Sequence, residues 1–286
     1  MIELYKIDGA VDLNQDHPCY DDPNTFPEFQ QRLDQFKTTL LDLVKDKKAA
    51  SFIRYGDGEY YFLKKHPCGS ARPGHRALSK QYNAATLKHD EFLKGVPQND
   101  YVLLDLTPVQ HDRFSEIYPS LSVDFPLEYI YGLVSNKWIT STFKGKVGLI
   151  GASPKIKLIK KLMEHEEYQN YLGLDKFEDY IEIPQRFACD DIDATEELVA
   201  AQLKESKSDI FLFGMGQTKM GLAHKLKNHK NAVYLDVGSS IDALAGIIDH
   251  LRPYFGNWQN YRVKDYDYSK LDLLQVDIWR TPHKFL

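Results

Sequence analysis

The apolar run at 49–53 leads directly into Arg54-Tyr55-Gly56-Asp57-Gly58-Glu59, in which two carboxylates stand one residue apart between glycines. The glycines let the backbone turn tightly, so both acids can face one point. Hard divalent cations take oxygen ligands of this kind, and a metal that bridges phosphates uses only one or two carboxylates. The same residues also suit an ordinary turn, because Asp-Gly is a common turn dipeptide. An EF-hand is excluded, since the further oxygen ligands and the Glu at position twelve are missing. A second candidate is Gly151-Ala152-Ser153-Pro154-Lys155, where backbone N–H groups, a hydroxyl and a lysine at a helix start suit a phosphate. A Ser N-cap with Pro154 at the first helical position explains the same residues without a ligand. A third is Gly214-Met215-Gly216-Gln217-Thr218-Lys219-Met220-Gly221. It fails as a dinucleotide fingerprint because its third glycine comes two residues late. It also fails as a P-loop, because Leu222-Ala223 replace the required Lys-Ser/Thr. What remains is a glycine-rich turn that lets a ligand come close. A fourth segment, Asp236-Val237-Gly238-Ser239-Ser240-Ile241-Asp242, gathers acids and hydroxyls. The acidic run at 190–197 reads as a solvated helix start whose charges favour the dipole. Neither HExxH nor GxSxG occurs, so a zincin site and a nucleophile elbow are excluded.

All four segments lie where short apolar runs end. Strands are predicted at 49–53, 101–106, 146–150, 180–183, 210–213 and 233–237, with helical patterns over 26–47, 80–94, 126–138, 154–165, 194–204, 218–228 and 240–251. Continuous apolar strands between amphipathic helices predict α/β layers around a mainly parallel sheet, and such sheets bind ligands outside the carboxyl ends of their strands. A main unit over 1–251 is expected, with the aromatic segment 252–286 packed on it. That segment carries Tyr254, Trp258, Tyr261, Tyr266, Tyr268 and Trp279, which suit either core cover or an acceptor-side platform for sugars.

The 36 Lys+Arg against 41 Asp+Glu give a formal charge of −5, without the basic excess that would favour nucleic acid. Three scattered cysteines without a CxxC pair argue against a disulfide framework or thiolate zinc site. No membrane-span-like stretch and no signal-peptide pattern are read from the chain, so a soluble, cytoplasmic protein is expected.

Taken in order, SFIRYGDGEYYFL, YVLLDLTPV, KVGLIGASPKIKLIKKL, EIPQRFACDDID, DIFLFGMGQTKMGLAHKLK and AVYLDVGSSIDAL resemble the GT-D class of nucleotide-sugar glycosyltransferases over about residues 50–250. The resemblance implies a Rossmann-like α/β fold that binds a UDP-sugar, with Mn²⁺ or Mg²⁺ at the Asp57/Glu59 motif. It implies transfer of the sugar to a hydroxyl of a glycan or glycoconjugate. With the strand-end readings, it places donor contacts on Arg54, Gly56, Gly151, Ser153, Lys155, Arg186, Gly214, Gly216, Gln217, Thr218, Gly238 and Ser239. Asp57 then serves the reaction through the metal, and Asp242 is the candidate base, with Asp190 and Asp193 as competitors. Two departures stand out. Gly238-Ser239 replaces a Gly-His pair, and Lys155 stands where relatives carry Arg, losing the bidentate fork. The alternatives are another Rossmann-like nucleotide-using enzyme, a methyltransferase or reductase, and a non-catalytic nucleotide- or carbohydrate-binding module.

Overall fold

The computed structural model describes residues 4–5, 29–65, 88–185, 188–247, 261–268 and 271. In chain order the strands are β1 (Leu4–Tyr5), β2 (Ala50–Tyr55), β3 (Tyr101–Leu104), β4 (Phe125–Pro126), β5 (Val147–Ala152), β6 (Asp179–Ile183), β7 (Ile210–Gly214), β8 (Val233–Asp236) and β9 (Arg262–Val263). Seven of them form one sheet in the order β4-β3-β2-β8-β7-β5-β6, and every pairing in it is parallel. The helices are α1 (Phe29–Lys45), α2 (Asp57–Leu63), α3 (His89–Gly95), α4 (Pro108–Ile117), α5 (Glu128–Ser135), α6 (Trp138–Thr142), α7 (Ser153–Leu162), α8 (Glu166–Leu172), α9 (Ile192–Leu203), α10 (Thr218–Leu226) and α11 (Ser240–Leu244).

Strand side chains alternate between two buried clusters, because successive residues of a strand point to opposite faces. Ile210 and Leu212 of β7 and Val233 and Leu235 of β8 join the cluster that also takes Phe36, Tyr129, Ile156 and Tyr168. Phe211, Phe213 and Tyr234 join the opposite cluster with Phe62, Phe92, Phe114, Val199 and Met220. Helices α1, α5, α7, α8 and α11 therefore cover one face, and α2, α3, α4, α9 and α10 the other. This two-sided cover explains why the central strands read as unbroken apolar runs. The sequence expectation of a mainly parallel α/β sheet holds, and the arrangement is Rossmann-like.

Helix α2 starts at once after β2, where the sequence also allowed a simple turn. Gly56 is extended, and the Glu59 carboxylate reaches back to its N–H at 2.9 Å, one half of a capping box. Acids in this first turn also complement the helix dipole. The predicted helix over 126–138 is broken: α5 and α6 are separated at Lys137, which has φ 65. Phe26 and Pro27 lie outside the described residues, as does most of the predicted helix start near 80.

In the last segment, Tyr261, Val263, Tyr268 and Leu271 are buried in the α1/α5 face cluster. The Tyr261 ring packs 4.5 Å from Tyr171 and 5.2 Å from Tyr168, and the Tyr268 hydroxyl bonds Ala245. These two rings are core cover and so are not an acceptor platform. Tyr254, Trp258 and Trp279 lie outside the described residues. Among the described residues, no helix is long and apolar enough to cross a membrane.

Candidate functional site

The β2–β8 ladder ends at Phe52 opposite Leu235. One residue on, the Asp236 carboxylate replaces the next rung by accepting the Arg54 N–H at 3.1 Å. Asp236 is 1% exposed, so its charge needs partners. Lys219 Nζ lies 2.7 Å from its Oδ2 and Arg54 Nη2 3.3 Å from its Oδ1, while the Gly238 N–H donates to Oδ1 at 3.0 Å. Burial alone would raise the Asp236 pKa, but the Arg54 and Lys219 charges and the hydrogen bonds outweigh it and hold the carboxyl below its usual range.

Arg54 is fixed from every side. Its Nε donates to the Asp236 carbonyl at 3.0 Å, its Nη1 meets the Tyr131 hydroxyl, and its guanidinium lies 5.0 Å from the Tyr131 ring. Lys219, 3% exposed, also reaches Glu59 Oε1 at 3.1 Å. Arg54, Glu59, Lys219 and Asp236 thus form one charged cluster across the carboxyl ends of β2, β8 and β7. Helices α2 and α10 leave this edge toward one face and α11 toward the other, at the place where α/β sheets bind ligands.

Glycine makes the close approach possible. Gly238 has φ +47, and a Cβ there would sit 1.6 Å from Arg54 Nη2. Gly216 has φ +53 and open space beside it, so the 214–217 turn keeps its shape through backbone rather than packing. Gly238→Ala is expected to destabilise the protein by about 3 kcal/mol or more, combining left-handed strain with displacement of a buried ion pair. Urea unfolding reads this directly, and a loss below about 1 kcal/mol would show that Arg54 is free to move aside.

The sequence candidates divide into three groups. Arg54, Gly56, Asp57, Glu59, Gly214, Gly216, Gln217, Gly238 and Ser239 do converge: the Gln217 amide lies 3.5 Å from a Cβ built on Gly58, and the Gly238 carbonyl 2.7 Å from one built on Gly214. Asp57 Oδ1 accepts the Gly58 N–H at 2.8 Å. The buried Ser239 and Ser240 hydroxyls have no hydrogen-bond partner, which leaves two donors beside Gly238 for something else.

A second group is engaged elsewhere. The Ser153 hydroxyl caps no helix N–H; it donates to Glu182 Oε2 at 2.6 Å, toward the β6 edge. Thr218 is buried at the start of α10, and Gly151 is packed against Ile241 and Ile156. Lys155 and Asp242, separately expected to serve phosphate and acceptor, form one buried ion pair at 2.5 Å. Among the acids of the run at 190–197, Asp191 caps α9 through the Ala194 N–H, and Asp193 pairs with Lys88. Arg186, the third case, lies outside the described residues.

Sequence reasoning named Asp236 and Lys219 within their segments but gave neither a role, although Asp236 stands at the end of a predicted strand. It missed Tyr131 and Glu128 on α5. Glu128 Oε1 accepts the Leu106 N–H at 3.1 Å just beyond β3, and its Oε2 is buried without a partner. Burial pushes this carboxyl up to about 7, against the pull of the Leu106 N–H and of its own backbone N–H, and the neighbouring Asp105 adds to the rise.

The fold and this edge define a Rossmann-like α/β protein with a charged cluster at its strand ends. No family model, no curated protein and no solved structure matches the chain.

Proposed function

We propose that the chain is a metal-dependent glycosyltransferase of the GT-D type, moving a sugar from a UDP-sugar to a hydroxyl of a glycan or glycoconjugate. One observation carries this reading. Glu59, in the first turn of α2, is ion-paired with Lys219 of the Arg54–Asp236–Lys219 cluster, and Asp57 opens the same turn.

Asp57 and Glu59 are hard oxygen donors of the type that Mn²⁺ or Mg²⁺ prefers. Among the described residues, no group of three or more His, Cys, Asp or Glu is set to hold an ion by protein ligands alone. An ion shared with phosphates needs only one or two carboxylates, so the pair fits a metal that arrives with the diphosphate. When bound, such an ion supplies positive charge to a leaving diphosphate.

The chain's own residues supply the rest. Arg54 and Lys219 are held in place by Asp236, and cations fixed in this way stabilise developing charge without reorganising. The turn at Gly214, Gly216 and Gln217 offers backbone approach to a phosphate, and Ser239 offers a hydroxyl without a partner. Glu59 is already bonded to Lys219 and to the Gly56 N–H, so it serves the ion only by exchanging the ammonium. Lys155 acts on this site by orienting Asp242 rather than as a free phosphate ligand.

Metal and nucleotide are therefore expected to bind together. Mn²⁺ should bind at least about tenfold more tightly in the presence of UDP than alone, a coupling near 1.4 kcal/mol. Electron paramagnetic resonance of free Mn²⁺ measures this, and equal affinity with and without UDP would separate the metal from the diphosphate. The function itself is tested by a panel of UDP-, GDP- and dTDP-sugars with Mn²⁺, reading melting temperature and slow hydrolysis. Stabilisation by a UDP-sugar and release of UDP are expected. Stabilisation by S-adenosylmethionine or a nicotinamide nucleotide instead would make the protein a methyltransferase or reductase. Binding without turnover for any acceptor would make it a binding module.

A further inference from the structure

Glu128 opens α5 at the same carboxyl edge of the sheet that carries the charged cluster. Glu128 and Tyr131 are three residues apart on one helix, so they share a face. Tyr131 meets Arg54 at the end of β2, and Glu128 meets Leu106 just past the end of β3. Strands β2 and β3 are direct neighbours, one strand spacing apart. The Glu128 carboxylate is thus one strand away from the guanidinium that pairs with Asp236.

The two oxygens of Glu128 have different fates. Oε1 is held by the Leu106 N–H, which fixes the side chain, whereas Oε2 is buried with nothing to bond. A buried polar atom without a partner is costly, and one retained at the carboxyl edge of a parallel sheet asks for a ligand group to complete it. Asp242 offers no such oxygen on its Lys155 side, because an ammonium already holds Oδ1 at 2.5 Å.

Resting on the transferase reading above, we propose that Glu128 Oε2 accepts the proton of the attacking acceptor hydroxyl. In this step the acceptor oxygen forms a bond to the anomeric carbon, and the bond from that carbon to the diphosphate oxygen breaks. The bonding pair leaves with the diphosphate. The hydroxyl proton passes to Glu128 and is later lost to water.

A base works best when its pKa lies near the operating pH, and burial has moved Glu128 to about 7. The groups that face it agree with this. Asp105 beyond β3 disfavours its charge, and Tyr129 follows it on α5. Arg32 of α1, whose charge acts on Tyr129, donates to the Asp124 carbonyl at 2.7 Å.

The test uses the full chain carrying Glu128→Gln and Glu128→Ala. Glutamine keeps the acceptor for Leu106 and removes only the basic oxygen, so the fold is preserved. The Gln variant is expected to transfer sugar at least about 100-fold more slowly, with Mn²⁺–UDP affinity unchanged within about twofold. The limb of kcat/KM near neutral pH should disappear, and formate should restore part of the activity of the Ala variant. A readout without activity is also available. The raised carboxyl makes wild type lose stability relative to Gln as pH climbs from about 4.5 to about 7, so the Gln variant should melt higher at pH 8 and equally at pH 4.5. A Gln variant within about threefold of wild type, with the neutral limb intact, overturns the assignment of Glu128 and leaves the transferase reading standing. A wild-type protein that binds no nucleotide-sugar overturns both.

Discussion

Asp236→Asn should cost about 3–5 kcal/mol of folding stability, a large part of what a domain of ordinary stability possesses. The substitution keeps the shape and one acceptor oxygen for the Arg54 N–H. What it removes is the countercharge of two cations, Arg54 and Lys219, that the fold has taken out of water. Glu59 compensates in part, since it stays 3.1 Å from Lys219. The pH dependence supplies a signature. Burial opposes ionisation of Asp236, and the two cations reverse that, so its folded pKa lies below the unfolded value of about 3.9. The carboxylate's contribution is therefore present above that value and lost as pH falls through the lower folded one. The gap between wild type and Asp236→Asn should be widest near neutral pH and should close in strong acid. Denaturant unfolding at several pH values measures this, and a gap that persists unchanged into strong acid would remove the ion pair from the explanation.

The largest expected effect on activity is at Asp57. Its Oδ1 accepts only the adjacent Gly58 N–H, a bond that asparagine can also accept. Asp57→Asn should therefore leave the melting temperature within about 2 °C of wild type. Loss of the metal's charge stabilisation is worth several kcal/mol, so transfer should fall on the order of a thousandfold. Glu59→Gln should lose comparable activity and some stability too, because it also loosens Lys219. Chelation with EDTA should reproduce the loss in wild type, and Mn²⁺ should reverse it. Full transfer by Asp57→Asn, or in EDTA, would return this motif to a purely structural helix start.

The sheet was legible because its central strands are buried on both faces and are mostly apolar, with charged residues only toward their carboxyl ends. Residues 210–213 and 233–237 announced β7 and β8 almost to the residue. Short elements were not legible. β4 is two residues long and α6 five, too few for a period to register. Helix α2 was hidden by its own glycines, although a Glu three residues after Gly56 is a capping signal. The glycine turns and the Asp-x-Glu pair could be placed together because each directly follows an apolar run, and the strands of a parallel sheet end on one edge. The partners could not be read in the same way. Lys219 meets Asp236 from 17 positions away and Tyr131 meets Arg54 from 77, through register and helix placement that no local spacing encodes. Ser153 and Lys155 looked like phosphate ligands only while their neighbours Glu182 and Asp242 were unplaced.

We propose that a nucleotide diphosphate and a divalent ion sit at the carboxyl ends of β2, β8 and β7, which a crystal structure of the protein with UDP and Mn²⁺ decides. One ion is expected between the diphosphate and the Asp57 and Glu59 carboxylates, with Lys219 displaced from Glu59 and the phosphates against the 214–217 turn and Gly238. UDP bound away from these loops, or an ion that ignores both carboxylates, would contradict it.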